Sequence, residues 1–92
     1  MSYTIKKGQY ENAEKLNVTI KPSKLKNKKI DVFKDDKKVA SIGASGYKDY
    51  QTYIEERGKD YANVRRKLYR ARHKGEDKKV GSAGYYAWKI LW

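Results

Sequence analysis

The chain has 92 residues, with 23 Lys and Arg against 11 Asp and Glu, for a formal charge of +12. That length holds one small domain. No stretch approaches the ~18 apolar residues of a membrane span, and the absence of cysteine excludes disulfide scaffolds, cysteine zinc sites and thiol nucleophiles.

Aliphatic residues are few, which at this charge tends toward disorder. Nine Tyr, two Trp and one Phe offset that, because each large ring buries roughly 150–250 Å². The composition therefore predicts a folded domain with a small aromatic core. The charge is uneven: residues 1–44 carry +6, residues 45–58 carry −1 and residues 59–92 carry +7. Such an excess repels itself unless a polyanion lies nearby. Met1-Ser2-Tyr3-Thr4-Ile5-Lys6-Lys7 lacks the apolar core of a signal peptide, so secretion by the usual route is not expected.

In chain order, residues 2–10 carry an extended pattern, and Leu16-Asn17-Val18-Thr19-Ile20 alternates as a half-buried strand does. Pro22 ends that run, and Lys24–Lys29 reads as a solvated basic turn. Lys29–Phe33 and Lys38–Ile42 flank Lys34-Asp35-Asp36-Lys37 and predict a β-hairpin, with Ile30 and Val32 on one face and Phe33 on the other. After Gly43-Ala44-Ser45-Gly46, Ser45 is the expected N-cap of a helix carrying Tyr47, Tyr50 and Ile54 on one face and stopped by Gly58. Asp60 is the expected cap of a second helix, from Tyr61 to His73, with Tyr61, Val64, Leu68 and Ala71 as its apolar stripe. Ser82 favours a helix over Ala83–Trp92, although a strand with Tyr86, Trp88, Ile90 and Trp92 on one side also fits the pattern.

The second helix is the most informative segment. Projected at about 100° per residue, Arg66, Lys67, Arg70, His73 and Lys74 gather opposite the Tyr61/Leu68 stripe, as a row suited to nucleic-acid phosphates. Arg65 and Arg72 fall near the stripe. A structural role, with stems on Tyr rings or guanidinium groups paired to acids, is favoured for both over direct binding. In the tail, Trp88 and Trp92 share a face with Tyr85 and are expected to pack inward. Tyr86 and Ile90 lie opposite and are expected to meet a protein partner. One histidine and no cysteine make a poor metal site. Asp35-Asp36 and Glu55-Glu56 are adjacent acids whose side chains diverge. No phosphate-binding loop, dinucleotide fingerprint or nucleophile elbow is present. The expectation is a binding protein rather than an enzyme, with no catalytic residues, no metal, no cofactor and no small-molecule substrate.

Arg65-Arg66-Lys67-Leu68-Tyr69-Arg70-Ala71-Arg72-His73, Ser82–Trp88 and the terminal Ile90-Leu91-Trp92 resemble a family of small basic proteins encoded by DNA viruses, including bacteriophages and large eukaryotic viruses. Tyr69, Arg72 and His73 match the family's Tyr-x-x-Arg-His helix ending, and Leu91-Trp92 its terminus. The likeness covers roughly residues 24–92. It implies a viral origin and a virion-associated role, and supplies no activity.

The expected architecture is a small single α+β domain. A β-hairpin, or three strands if the N-terminal segment adds one, packs with two or three short helices. Residues 1–23 form an arm or extra strand, and residues 24–92 the compact basic domain. The expected function is that of a minor capsid or capsid-associated protein, with its basic helix on packaged nucleic acid. It would reside in the virion, and in the host-cell interior before assembly. The alternative is a free viral nucleic-acid-binding regulator.

Overall fold

Residues 28–44 form the antiparallel hairpin that their alternation predicts, β2 (Lys28–Lys34) against β3 (Lys37–Ala44). The structure, a computed structural model, describes residues 3–44 and 46–92, so the Ser45 cap lies outside the described residues. Asp35 and Asp36 make the turn with φ of 52° and 66°. That left-handed pair is what a two-residue hairpin loop requires, and Asp tolerates it better than most residues. The extra strand is β1 (Thr19–Pro22), antiparallel to β2, giving the order β1-β2-β3. Pro22 sits on this edge strand, where a missing donor breaks no inner ladder.

Ile20, Ile30, Val32 and Ile42 share one sheet face and are almost fully buried. Two elements cover them. One is α1 (Lys7–Lys15), which with its flanks brings Ile5, Ala13 and Val18. The other is the C-terminal helix, α4 (Ala83–Tyr86), continued as a π-helical stretch over Ala87–Leu91. The extended pattern expected over residues 2–10 is thus corrected from Lys7 onward: the chain is helical there. The helix has no apolar stripe. It is held by Gln9, fully buried, whose side chain accepts from Lys6 N and donates to Tyr3 Oη, each at 2.8 Å.

α2 (Tyr50–Arg57) starts one turn later than predicted. Asp49 is its cap, accepting from Thr52 N at 3.0 Å, and Gly58 ends it at φ 90°. α3 (Lys59–Arg72) follows at once, with Asp60 inside its first turn rather than at the cap. Ser82 caps α4 as expected, accepting from Tyr85 N at 3.1 Å. The fold is an α+β domain with three strands and four α-helices among the described residues, where two or three helices were expected.

The tail requires a further correction. Tyr86 and Ile90, expected to face a partner, are 5% and 1% exposed and belong to the core with Leu91. Trp88 and Trp92 face α3 instead and are only partly buried. The segment is a wedge with both sides covered: its aliphatic side seals the sheet and its indole side meets α3.

Candidate functional site

The phase of α3 decides where its cations go, and it differs from the apolar-stripe reading. Ala62 is fully buried, while Val64 and Leu68 are 56% and 48% exposed. Leu68 is therefore not a core residue. Rings and arginine stems make the contact between α2, α3 and the tail. Arg57 lies 4.4 Å over Tyr61, Arg65 5.4 Å over Tyr53, Arg66 3.5 Å over Tyr50 and Arg70 5.3 Å over Trp88. Guanidinium planes stack on aromatic faces and keep their charge, so this layer is cohesive without aliphatics.

Two members of the expected phosphate row are consequently drawn inward. Arg66 is partly buried against Tyr50, and its Nε has no hydrogen-bond partner. Burial first, and then the charge of Arg70, bring its pKa below the ordinary arginine value. His73 stacks on Tyr69 at 4.2 Å, and its Nδ1 lies 2.8 Å from Glu76 Oε2 without the alignment of a hydrogen bond. Lys67, Arg70 and Lys74 remain exposed. Arg70 also donates to the Trp92 main-chain oxygen at 3.0 Å. Arg72, expected to be structural and inward, is exposed. It sits at the last residue of α3, whereas Arg65 and Arg66, nearer the middle, stack on rings of α2.

Arg72 instead borders a cleft of about 420 Å³ between α3, the tail and the segment joining β3 to α2. On the α3 side, Arg65, Tyr69, Arg72 and His73 line it. Their spacing of i, i+4, i+7 and i+8 puts them on one helical face. Trp92 and Tyr53 continue that wall, and Tyr47 and Lys48 stand on the opposite rim. Tyr69 stacks with two rings, His73 at 4.2 Å and Trp92 parallel to it at 4.6 Å and 9°. Burial, and then the Glu76 charge, push the Tyr69 phenol up to about 12, so it is un-ionised at neutral pH.

The floor is fixed by a polar network. Asp49 Oδ2 accepts from Tyr3 Oη and from Lys29 Nζ, the latter at 3.3 Å, and both charged side chains are buried. Burial first, and then the bond to Asp49, raise the Tyr3 phenol far above its ordinary value. Asp49 is the one carboxylate side chain among the described residues that line the cleft, and its oxygens already serve Tyr3, Lys29 and the α2 amide. Lys48 reaches Glu56 at the exposed surface. Arg65 and Arg72 form no ion pair among the described residues.

Among the cleft residues that the sequence reading did not assign to a site are Tyr47, Lys48, Tyr53, Arg65 and Tyr69. The available signal was the cation–ring alternation along α3, which an aliphatic-stripe projection obscures. Among the described residues, no group of three or more His, Asp or Glu is placed to hold a metal ion, and no helix is long and apolar enough to cross a membrane. Tyr69, Arg72, His73, Leu91 and Trp92, which carry the viral resemblance, all line this one cleft. Comparison with protein-family profiles, curated protein sequences and solved structures finds no match to the chain.

Proposed function

We propose that the protein binds nucleic acid through its phosphates and performs no chemistry on it. One observation carries this reading. Arg65 and Arg72, which form no ion pair among the described residues, line one cleft with Lys48 and His73. The Glu56 and Glu76 partners of Lys48 and His73 are not among its lining residues, and the one carboxylate side chain among the described lining residues, Asp49, is already engaged from within. Exposed Lys67 and Lys74 extend the positive surface along α3. Cations in excess of their counter-charges attract a polyanion and lose that attraction in salt. The resemblance to small basic viral proteins suggests the setting, a capsid-associated component of the virion in contact with packaged nucleic acid. A capsid partner would meet surface other than the buried Tyr86 and Ile90.

The test is a salt titration of binding to a fluorescein-labelled 20-mer by anisotropy. With about four phosphates engaged, the log–log slope is expected at about −3 for a single strand and about −3.6 for a duplex. Arg72→Gln with Lys74→Gln, both exposed, should make the slope shallower by about 1.4 to 1.8 while the melting temperature holds. Binding that ignores salt, or a slope unmoved in the double variant, overturns the reading. For the virion setting, mass spectrometry of purified particles should find the chain in many copies; its scarcity there would favour the free regulator.

A further inference from the structure

We infer that the cleft takes an unpaired nucleobase, so that the protein is selective for single-stranded nucleic acid. The inference rests on the nucleic-acid reading above and adds the substrate class. Its first support is shape. A concavity of about 420 Å³ falls within the ~300–1,000 Å³ of small-ligand sites. That suits one nucleotide unit, whereas the convex body of a duplex would rest on the rim. In a duplex, moreover, neighbouring bases cover each ring face. Only an unpaired base can offer a face for stacking.

The second support is the arrangement of rings. His73, Tyr69 and Trp92 form a near-parallel stack, with centroid spacings of 4.2 and 4.6 Å. Tyr69 is thus stacked with two other rings, and the three together form an aromatic wall. Tyr47, across the cleft, is different. It is 74% exposed, the most exposed aromatic residue described, and no ring or cation stacks on it among the described residues. Exposed rings cost solvation, and a large ring on a cationic rim is a ready stacking partner for a base.

The third support is the placement of charge around the rings. Arg65 and Arg72 stand seven residues apart, about 10.5 Å along α3, on either side of Tyr69. A base against the wall would therefore have guanidinium groups toward both of its flanking phosphates. A polyanion without bases would need the charges but not the rings, and makes a natural control.

The experiment measures the full chain, as wild type, Tyr47→Ala and Tyr47→Trp, at low salt and again at a higher salt concentration against four probes. These are a 20-nucleotide oligothymidylate, an abasic strand of equal length and charge, a 20-base-pair duplex and inorganic polyphosphate. Oligothymidylate should bind at least about tenfold more tightly than the abasic strand or polyphosphate, in line with the 5- to 150-fold that a stacked base contributes. It should also bind more tightly than the duplex. Tyr47→Ala should bring the preference over the abasic strand close to one, and Tyr47→Trp should keep it. Because Tyr47 is exposed, its removal does not threaten the fold. Equal, salt-dependent binding of base-bearing and abasic strands, or tighter binding of the duplex, overturns the base site and leaves the phosphate reading standing. Salt-dependent binding of polyphosphate at oligothymidylate affinity overturns it as well. Failure of every probe to bind at low salt overturns both.

Discussion

Asp31 shows how this chain buries a charge without spending an aliphatic position. It lies on the sheet face opposite Ile30 and Val32, nearly fully buried. The hydroxyls of Ser23 and Ser41 each donate to its Oδ1 at 2.7 Å, and the Lys24 amide donates to Oδ2. Burial alone would raise its pKa. The two hydroxyls, the amide and the nearby Lys38 charge outweigh burial and hold it below the usual carboxylate range. The sign of the linkage follows. The ionised carboxylate stabilises the fold above the unfolded value of about 3.9, and that contribution is lost as pH falls through the lower native value. Asp31→Ala should cost about 1–3 kcal/mol at pH 7, because two half-buried hydroxyls and an amide lose their acceptor. Asp31→Asn should flatten the decline in stability below about pH 4. Urea unfolding at pH 7, 4 and 2.5 checks both, and a wild-type acid limb no steeper than the Asn variant's would refute the assignment.

Among the elements, α3 makes the clearest mechanical claim, since its aliphatic residues face water and its buried contact is one alanine. Ala62 allows α2 and α3 to approach closely. Ala62→Leu should therefore cost about 1–3 kcal/mol by overpacking. Val64→Ser should change stability by no more than about 0.5 kcal/mol, and Leu68→Ser by less than about 1 kcal/mol. If Leu68→Ser unfolds the protein in guanidinium titrations while Ala62→Leu is silent, the phase is wrong. This phase also marks the limit of what the sequence disclosed. The hairpin was legible because period-two alternation and an Asp-Asp turn have a single local solution. Gly58 and Ser82 were legible as helix punctuation, and their roles stand in the structure. α1 was not legible, because its buried residues are Gln9 and Ala13; a helix held by a glutamine has no apolar period to detect. Nor was the inward side of α3, because the projection equated apolar with buried. In this chain, tyrosine faces and arginine stems take the place of leucine. The cleft was legible only in part: of the expected phosphate row His73 alone lines it, and Arg72 was placed inward and Arg66 outward, the reverse of their positions. The tail was assigned to a helix correctly, yet its π-helical stretch and two-sided wedge leave no face for the partner assigned to Tyr86 and Ile90.

At the scale of the whole molecule, charge links stability to binding with opposite signs. The chain carries +12 on 92 residues, and three of the four ion pairs described, Lys6–Glu55, Lys48–Glu56 and His73–Glu76, have exposed or half-exposed partners. Pairs of that kind contribute about 0–1 kcal/mol each and do not neutralise the excess. The free domain is therefore strained by its own field, and screening should relieve it. Raising sodium chloride from 20 to 200 mM shortens the Debye length from about 20 Å to about 7 Å, less than the span of the molecule. A relief of about 0.5–1 kcal/mol would raise the melting temperature of a domain this size by roughly 2–8 °C. A bound oligonucleotide does the same work locally. At a concentration 100-fold above its dissociation constant it adds about 2.7 kcal/mol, and salt then removes that gain by weakening the complex. The free chain should therefore melt higher as salt rises, whereas the same chain with excess oligothymidylate should melt lower, the two curves converging near the salt concentration at which binding fails. Differential scanning fluorimetry across the salt series, with sucrose as an uncharged control, measures both curves. A free chain indifferent to salt would show that the charges are spaced too widely to strain the fold. Parallel rising curves would show that no phosphates are engaged, and would remove the physical basis for assigning the cationic cleft to nucleic acid.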